Sequence, residues 1–528
     1  MKFSISKLIF FTIILISIFL RFYKLGEIPL SLDWDEVSNG YNAYSILKTT
    51  RDEYSNFLPL TNRSFDDYKP PLYMYLTLPS VGLFGLTPLA VRLPSAIFGV
   101  LTVVTVFYLS KIIFNNEKIA LISMFFMAIS PWHLQFSRVG FEANIGLFMS
   151  TASFTLLLYG VLKGDKNKNL LLILSALFLG LSFYAYHSLR IFIPLTFIIF
   201  ILIFKKEVFR IPKKVILIFC LIVVTIVLPF FILTPKEAFI GRYQSTSQDL
   251  RVQDLDKSVK YISEDENKGL NLGKIIHNRR IVISQTFLQN YFSHFSFNYL
   301  FTNGDDNLRH HTNNMGMLYF FQLPFIISGI YFLIKNKTRE YLFIIFWLIL
   351  SPIPAAPTNA VPHAIRSYTM LIPFTLISSY SLFELFKLFK FNKLLISSIL
   401  LIIILALSSY LHTYYIHYSK ESASWWQYGY WETVESTEQI KGQYNKVIID
   451  RSIEQAYAFW LFYSKFDPKT YQTQFSKNHF DKYYFDQQDI NSDRTLLVST
   501  SKNFPPGYKE VKTIYYPDGE AAIKIGEK

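Results

Sequence analysis

The sequence has a single cysteine, Cys220, and it lies inside an apolar run. One thiol forms no internal disulfide, so no disulfide framework holds this chain, and cysteine usage leaves the redox compartment open. Charge is also scarce. Charged residues make up 17% of the 528 positions, against roughly 25% in an average soluble protein. There is no internal repeat and no low-complexity tract, and no A-x-A-like cleavage site follows the greasy N-terminal stretch. The last absence favours a retained first span over a removed signal peptide.

In place of charge there is hydrocarbon. The chain is 51% hydrophobic, with 51 phenylalanines, and apolar runs recur along it. Runs of about 20 residues cross a bilayer. Eleven candidate spans fall near 8–24, 89–110, 119–135, 141–162, 170–187, 190–204, 215–233, 316–334, 341–353, 367–386 and 394–412. The expected fold class is a mainly α, polytopic membrane protein.

The net charge is +14, and its placement argues against nucleic acid. Six short segments, 1–7, 111–118, 163–169, 205–214, 335–340 and 387–393, hold 18 Lys/Arg against four acids, which accounts for the whole excess. Short Lys/Arg-rich connections stay cytoplasmic. The expected topology therefore has a cytoplasmic N-terminus, with the alternate connections and the C-terminal region on the outer face of the cell membrane. Residues 1–412 form a transmembrane domain with outward loops at 25–88 and 234–315. Within the first loop, the Pro/Gly-interrupted stretch 71–88 reads as an interfacial helix. Residues 413–528 read as a small water-soluble α/β domain. Its strands are "KVIID" and "RTLLVST", its helix lies in "SIEQAYAFWLFYSKF", and a hairpin turns at Pro-Asp-Gly. Trp425-Trp426 is expected near the headgroups.

The outward side gathers the chemistry. Asp35 and Glu36 follow the first span; "FDDYKPP" supplies Asp66, Asp67 and Lys69; Glu142 stands in the turn before span four. Asp305, Arg309 and His310 sit in "NGDDNLRHH", and His363 in the last outward turn. Four arginines, Arg92, Arg138, Arg190 and Arg366, stand singly at outward span ends. A charge there needs a partner, and four on one face are read as converging on an anion, since guanidinium donates to phosphate in parallel pairs. Carboxylates beside a cationic pocket suit transfer from a lipid phosphate to a hydroxyl: an acid deprotonates the acceptor and fixed cations stabilise the leaving phosphate. A polyprenyl-phosphate sugar is such a donor; the acceptor is a glycan, lipid or protein.

Plainer roles compete. Asp33 and Glu36 fit a capping box over "DWDEVSNGYNAYSILK", Asp66 and Asp67 fit a helix cap, and the adjacent His310-His311 pair does not suit one metal ion. A transporter or lipid flippase is the rival function. Transporters show paired repeats and mid-bilayer ionisable sites, whereas these spans have clean middles. A surface sensor is a third reading, and it leaves the arginines unexplained.

The order of one span, a long loop opening with Asp35-Glu36, "DDYKPPLYMYL" and then "AVRLPSAIFGVLTVV" resembles the C-type superfamily of integral-membrane glycosyltransferases. It is similar to bacterial relatives of the protein O-mannosyltransferases and of the aminoarabinose transferase acting on lipid A. The resemblance covers residues 1–415 in topology and about 33–100 in motif. It implies Asp35 as catalytic base, Lys69 as a ligand of the lipid phosphate, Glu142 as a second acid near the acceptor or a metal, and Arg92, Arg190 and Arg366 around the phosphate and sugar. It also implies an inverting single displacement. No cofactor is required on this reading; a divalent metal is compatible with Asp35, Glu142 and Asp305. The 234–315 segment is too short and too helical for the β-trefoil insert of eukaryotic protein mannosyltransferases, which puts a protein acceptor in doubt.

Overall fold

A computed structural model describes residues 5–65, 67–163, 167–485 and 494–528. Each of the eleven apolar runs folds into helix, as a backbone in lipid must to satisfy its own polar groups. The first is α1 (Ile5–Phe22). The loop after it carries α2 (Trp34–Thr49), a short hairpin of β1 (Asn62–Ser64) and β2 (Asp67–Lys69), and α3 (Leu72–Phe84). At 13 residues α3 is about 20 Å long, too short for a crossing. Then follow α4 (Pro88–Phe114), α5 (Glu117–Ile129), α6 (Pro131–Ser137), α7 (Glu142–Leu162), α8 (Lys168–Ser182), α9 (Leu189–Ile203), α10 (Lys205–Val208) and α11 (Lys213–Leu233).

Among the described residues six helices are long and apolar enough to span a membrane: α1, α4, α7, α11 and two near the C-terminal end. The pair α5 and α6 makes a seventh, bent by 57° at Ser130-Pro131. The other expected spans are shorter helices. α8, α9 and α15 (Gln322–Asn336) have 15 residues each and α16 (Arg339–Leu350) has 12. At 1.5 Å per residue these fall short of a hydrocarbon core of about 30 Å, so the count of eleven full crossings is not reproduced by helix length. The multi-pass character is clear from the exposed faces. Along α11 and α18 (Lys393–His412), only 11% of the apolar span is buried, and Leu217, Leu221, Val224, Leu400 and Leu401 point outward. Helices apolar all round yet uncovered by protein are solvated by lipid.

The 234–315 segment is helical as well: α12 (Glu237–Asn267), α13 (Gly273–Ile276) and α14 (Arg279–Ser293). After α17 (Leu371–Leu388) and α18, a short α19 (Tyr418–Glu421) leads to α20 (Tyr430–Ile440). The C-terminal part adds β3 (Lys446–Ile449), α21 (Ala456–Tyr463), α22 (Pro468–Thr473), β4 (His479–Phe480), β5 (Tyr483–Phe485), β6 (Thr495–Thr500), β7 (Lys509–Tyr515) and β8 (Ala521–Glu527). These strands form one six-stranded sheet in the order β4-β5-β3-β6-β8-β7. Strand β3 runs parallel to β5 and β6, while β7 and β8 are the antiparallel hairpin about Pro517-Asp518-Gly519.

The helical and sheet regions meet on α2. Gly40 lies under the Phe462 ring, and a Cβ there would stand 2.5 Å from Phe462 and 2.8 Å from Val91. The Gln472 amide donates to Ser45 Oγ, Thr49 Oγ1 and the Asp52 carbonyl, all at 2.9 Å, at the far end of α2. Trp426, expected at the headgroups, is instead buried over the Arg92 guanidinium at 5.8 Å, which pulls the indole into the protein. Close behind α2, Glu53 is buried and accepts from Asn42 Nδ2 at 3.1 Å. Burial pushes its pKa up to about 7 from 4.5.

Two outcomes follow. Gly40→Val forces Phe462 away, an overpacking that costs about 1–3 kcal/mol; the thermal midpoint falls and limited proteolysis opens the chain between α18 and α20. Glu53 holds a proton when folded that it releases when unfolded, so its contribution is full below pH 4.5 and is lost as pH rises through about 7. The thermal midpoint of the wild type therefore drops between pH 5 and pH 8, and Glu53→Gln flattens that slope.

Candidate active site

The site starts from the capping box that opens α2. Asp33 Oδ1 accepts from the Glu36 backbone N–H at 2.8 Å, and Glu36 Oε2 accepts from the Asp33 N–H at 3.2 Å. This fixes the first turn and points Asp35 the other way. Glu36 is wholly buried and continues inward: its Oε1 accepts from Arg92 Nε at 2.8 Å and from the Gly140 N–H at 2.8 Å, and its Oε2 accepts from Arg92 Nη2 at 3.1 Å. The remaining Arg92 donors go to the carbonyls of Leu25, Pro29 and Ser31. All five N–H groups of Arg92 are thus spent on protein. Arg138 is spent the same way, on the Tyr414 hydroxyl and the carbonyls of Leu20, Arg21, Lys24 and Ile28.

This corrects the expectation that four arginines share one anion. Arg92 and Arg138, with Glu36, are scaffold, because a buried ion keeps its place only where every donor has a partner. Arg190 donates to the Phe183 carbonyl, contacts His187 Nδ1 at 3.1 Å and stacks on Phe230 at 4.3 Å. Arg366 donates to Thr358 Oγ1 at 2.6 Å and the Asn359 carbonyl at 2.7 Å. Neither lines the cavity described next. Arg21, which sequence reasoning missed, is a further buried guanidinium, tied to the Met127 and Ala128 carbonyls and to His133 Nδ1 at 2.5 Å.

The other expected residues do come together. A cavity of about 340 Å³ is lined by Asp35, Asp67, Lys69, Glu142, Arg309, His310 and His363, with Asp33, Trp34, Phe141, His187 and Gln455 among their neighbours. Asp66 lies outside the described residues. Asp35 is one-third exposed and pairs with Lys69. Glu142 opens α7 and accepts from Asn39 Nδ2 at 3.1 Å; Asn39 Oδ1 in turn accepts from Asn62 at 3.0 Å. Arg309 stacks on Trp34 at 4.7 Å and donates to Asp33 Oδ2 at 3.1 Å. Its loop is pinned from below, where Gln135 Nε2 donates to the Arg309 carbonyl at 2.8 Å and the Tyr418 hydroxyl to the Leu308 carbonyl at 2.9 Å.

Asp305 sits behind this wall. Its Oδ2 accepts from His310 Nδ1 at 2.6 Å and from the Ala364 N–H at 2.8 Å, joining the 303–311 loop to the last turn. Burial pushes its pKa up, but His310, His363 and the Ala364 N–H outweigh burial and bring it below the usual carboxylate range. Burial lowers the pKa of His310 and, further, of His363, where Arg366 adds to the effect. Burial also raises the pKa of Asp33, against the pull of Arg309. Gln455 and Trp34 were not singled out from sequence. Gln455 comes from the loop before α21, 419 residues beyond the Asp33–Glu36 turn, a separation no local motif signals.

Helix direction sets which end this is. Glu142 begins α7 at the cavity, and Lys163 follows the other end of α7. The cavity therefore lies opposite the basic connections. A larger cavity of about 630 Å³ at the basic end is lined by Asn115, Lys163, Lys168, Arg210 and Arg339. Its Arg339 is paired with Glu207 at 2.8 Å, and none of the paired acids of the loop cavity reach it.

Known proteins bear on this geometry. Residues 68–232 match the family model described as dolichyl-phosphate-mannose-protein mannosyltransferase. ArnT of Cupriavidus metallidurans, solved without ligand, aligns over 99% of this chain and 98% of its own, with a TM-score of 0.59 at 10% identity. The fold is that of the C-type membrane glycosyltransferases. ArnT bound to undecaprenyl phosphate aligns over the same shares, with a TM-score of 0.54 at 10% identity. The oligosaccharyltransferase AglB of Archaeoglobus fulgidus, in complex with an inhibitory peptide and a dolichol-phosphate, gives 0.51 at 15% identity over 86% of this chain. The chain spans only 63% of that AglB chain. The same archaeal enzyme was solved with zinc and sulfate, where the chain spans 61% of its length at the same identity and TM-score. A search of curated sequences finds no match.

The division between scaffold and cavity residues is measurable. Arg92→Met leaves Glu36 charged and buried, a loss of about 3–5 kcal/mol, seen as loss of monodisperse protein in detergent. Asp35→Asn, at the partly exposed cavity wall, leaves the thermal midpoint within a degree or two of the wild type.

Proposed function

We propose that this protein moves a sugar from a polyprenyl-phosphate donor to a hydroxyl acceptor at the outer face of the cell membrane, by an inverting single displacement. The observation that carries the reading is the Asp35–Lys69 pair at the wall of a cavity that faces away from the basic connections. The positive-inside bias puts that end outside. The membrane-glycosyltransferase fold and the lipid-phosphate ligands of the ArnT and AglB structures support a lipid-linked donor.

In this mechanism Asp35 takes the proton of the acceptor hydroxyl as its oxygen bonds to the anomeric carbon. The bond from that carbon to the phosphate oxygen breaks, and its electron pair leaves with the polyprenyl phosphate. Lys69 and Arg309 face the developing charge. In the structure Lys69 rests against Asp35; a bound phosphate competes for that ammonium and frees the carboxylate as base. Glu142, held by Asn39, orients the acceptor. The wall formed by Asp305, His310 and His363 offers a divalent ion a place beside the phosphate. The sugar is a hexose or pentose.

Asp35→Asn is expected to lower transfer from a radiolabelled polyprenyl-phosphate sugar by about 10²–10⁴-fold, the span of general-base contributions, while donor binding persists. Lys69→Met is expected to weaken donor binding as well as transfer. Transfer at wild-type rate by Asp35→Asn refutes the base assignment, and movement of intact donor across sealed vesicles without transfer makes the protein a flippase.

A further inference from the structure

The cavity holds more negative charge than an anion site tolerates. Its lining carries four carboxylates, Asp33, Asp35, Asp67 and Glu142, against two cations, Lys69 and Arg309. A phosphate entering so acidic a space is repelled, because attraction and repulsion are both strong where water is partly excluded. Some further positive charge has to be supplied, and one patch of the wall is shaped to hold it.

We propose that Asp305, His310 and His363 bind one divalent transition-metal ion in the wall of this cavity. Each offers a ligand atom, and the three atoms lie within 4.8 Å of one another. Tetrahedral ligands at 2.0–2.1 Å from a metal stand about 3.3 Å apart, so closure needs the wall to contract by little more than about 1 Å. His363 Nδ1 is buried and has no hydrogen-bond partner among the described residues. Such an orphan costs about 1–3 kcal/mol, and a metal ion is the partner it lacks. The rest of the set is already held in place. His363 donates its backbone N–H to His294 Nε2 at 3.1 Å, and Asp305 accepts from the Ala364 N–H. His311 Nε2 contacts the Asp305 carbonyl at 2.7 Å, so neighbouring chain rather than solvent fixes the carboxylate.

Two imidazoles and one carboxylate suit zinc, and to a lesser degree cobalt or manganese. Three protein ligands leave a fourth position, the arrangement of sites that bind a reacting group. His310 and His363 both line the cavity, so that position opens where the donor phosphate is placed. This role rests on the transfer reading; the metal site itself does not.

The test uses the full-length protein in detergent. Purified without chelator, it is expected to carry about one equivalent of zinc by elemental analysis. After stripping with EDTA, cobalt(II) is expected to bind one-to-one with visible absorption bands of nitrogen and oxygen ligation. His363→Gln and Asp305→Asn are expected to weaken cobalt binding at least tenfold, with elution volume and metal-free thermal midpoint as controls of folding. Asp35→Asn is expected to keep the metal, so loss of transfer and loss of metal are separate results. Absence of both zinc and the cobalt spectrum in the wild type overturns the proposal. So does cobalt binding unchanged in the two wall variants. If neither variant folds, the wild-type cobalt spectrum decides alone, its presence supporting the site and its absence refuting it.

Discussion

The buried pair of Arg92 and Glu36 is the constraint on which the site depends. It joins four parts of the chain: the loop carbonyls at 25–31, the first turn of α2, the start of α4 and the turn at Gly140. An unpaired charge at that depth is prohibitive, so the pair forms as a unit or not at all. Asp35 precedes Glu36 by one residue, and neighbours on a helix point about 100° apart. With Glu36 locked inward, Asp35 has no choice but the cavity. Gly140 completes the lock, since a Cβ there would sit 2.8 Å from Glu36 Cγ.

A physical division of labour follows. Guanidinium groups with five protein acceptors, Arg92 and Arg138, tie helices together and offer nothing to a ligand. The cations that face the cavity, Lys69 and Arg309, come from the β-hairpin after α2 and the loop before α15. Loops held by a rigid scaffold commonly carry function. Here the holding is explicit, through Gln135 and Tyr418 beneath Arg309 and through Asn39 and Asn62 beside Glu142.

That division also explains what was legible in the sequence. Apolar length and basic connections gave the helices and the end at which chemistry gathers, because both are local properties of the chain. Asp33–Glu36 was readable as a capping box, and the structure has one. The arginines misled because a guanidinium at a span end looks the same in sequence whether it meets carbonyls or phosphate; only the positions of the 20–31 carbonyls decide. The wall of Asp305, His310 and His363 was hidden for a related reason. His310-His311 suggested a local pair, whereas the ligand set is closed by a residue more than fifty positions on. Short helices such as α8 and α16 match their apolar runs in place but not in length, because Pro, Gly and charged neighbours end the helix before the hydrophobicity does.

One feature reconciles an acidic cavity with stable folding. Asp35 and Glu36 lie in the first turn of α2, and Glu142 opens α7. Two helix N-termini therefore direct their positive ends at the same acids. Each such placement favours a negative charge by about 0.3–1 kcal/mol, and up to about 2 when partly buried. The Asp33 and Asn39 contacts add hydrogen bonds to the same groups. The helices thus stabilise carboxylates without neutralising them, which is the state a base requires. The remaining repulsion is felt by whatever anion approaches, and it falls on Lys69, Arg309 and the histidine wall to answer it.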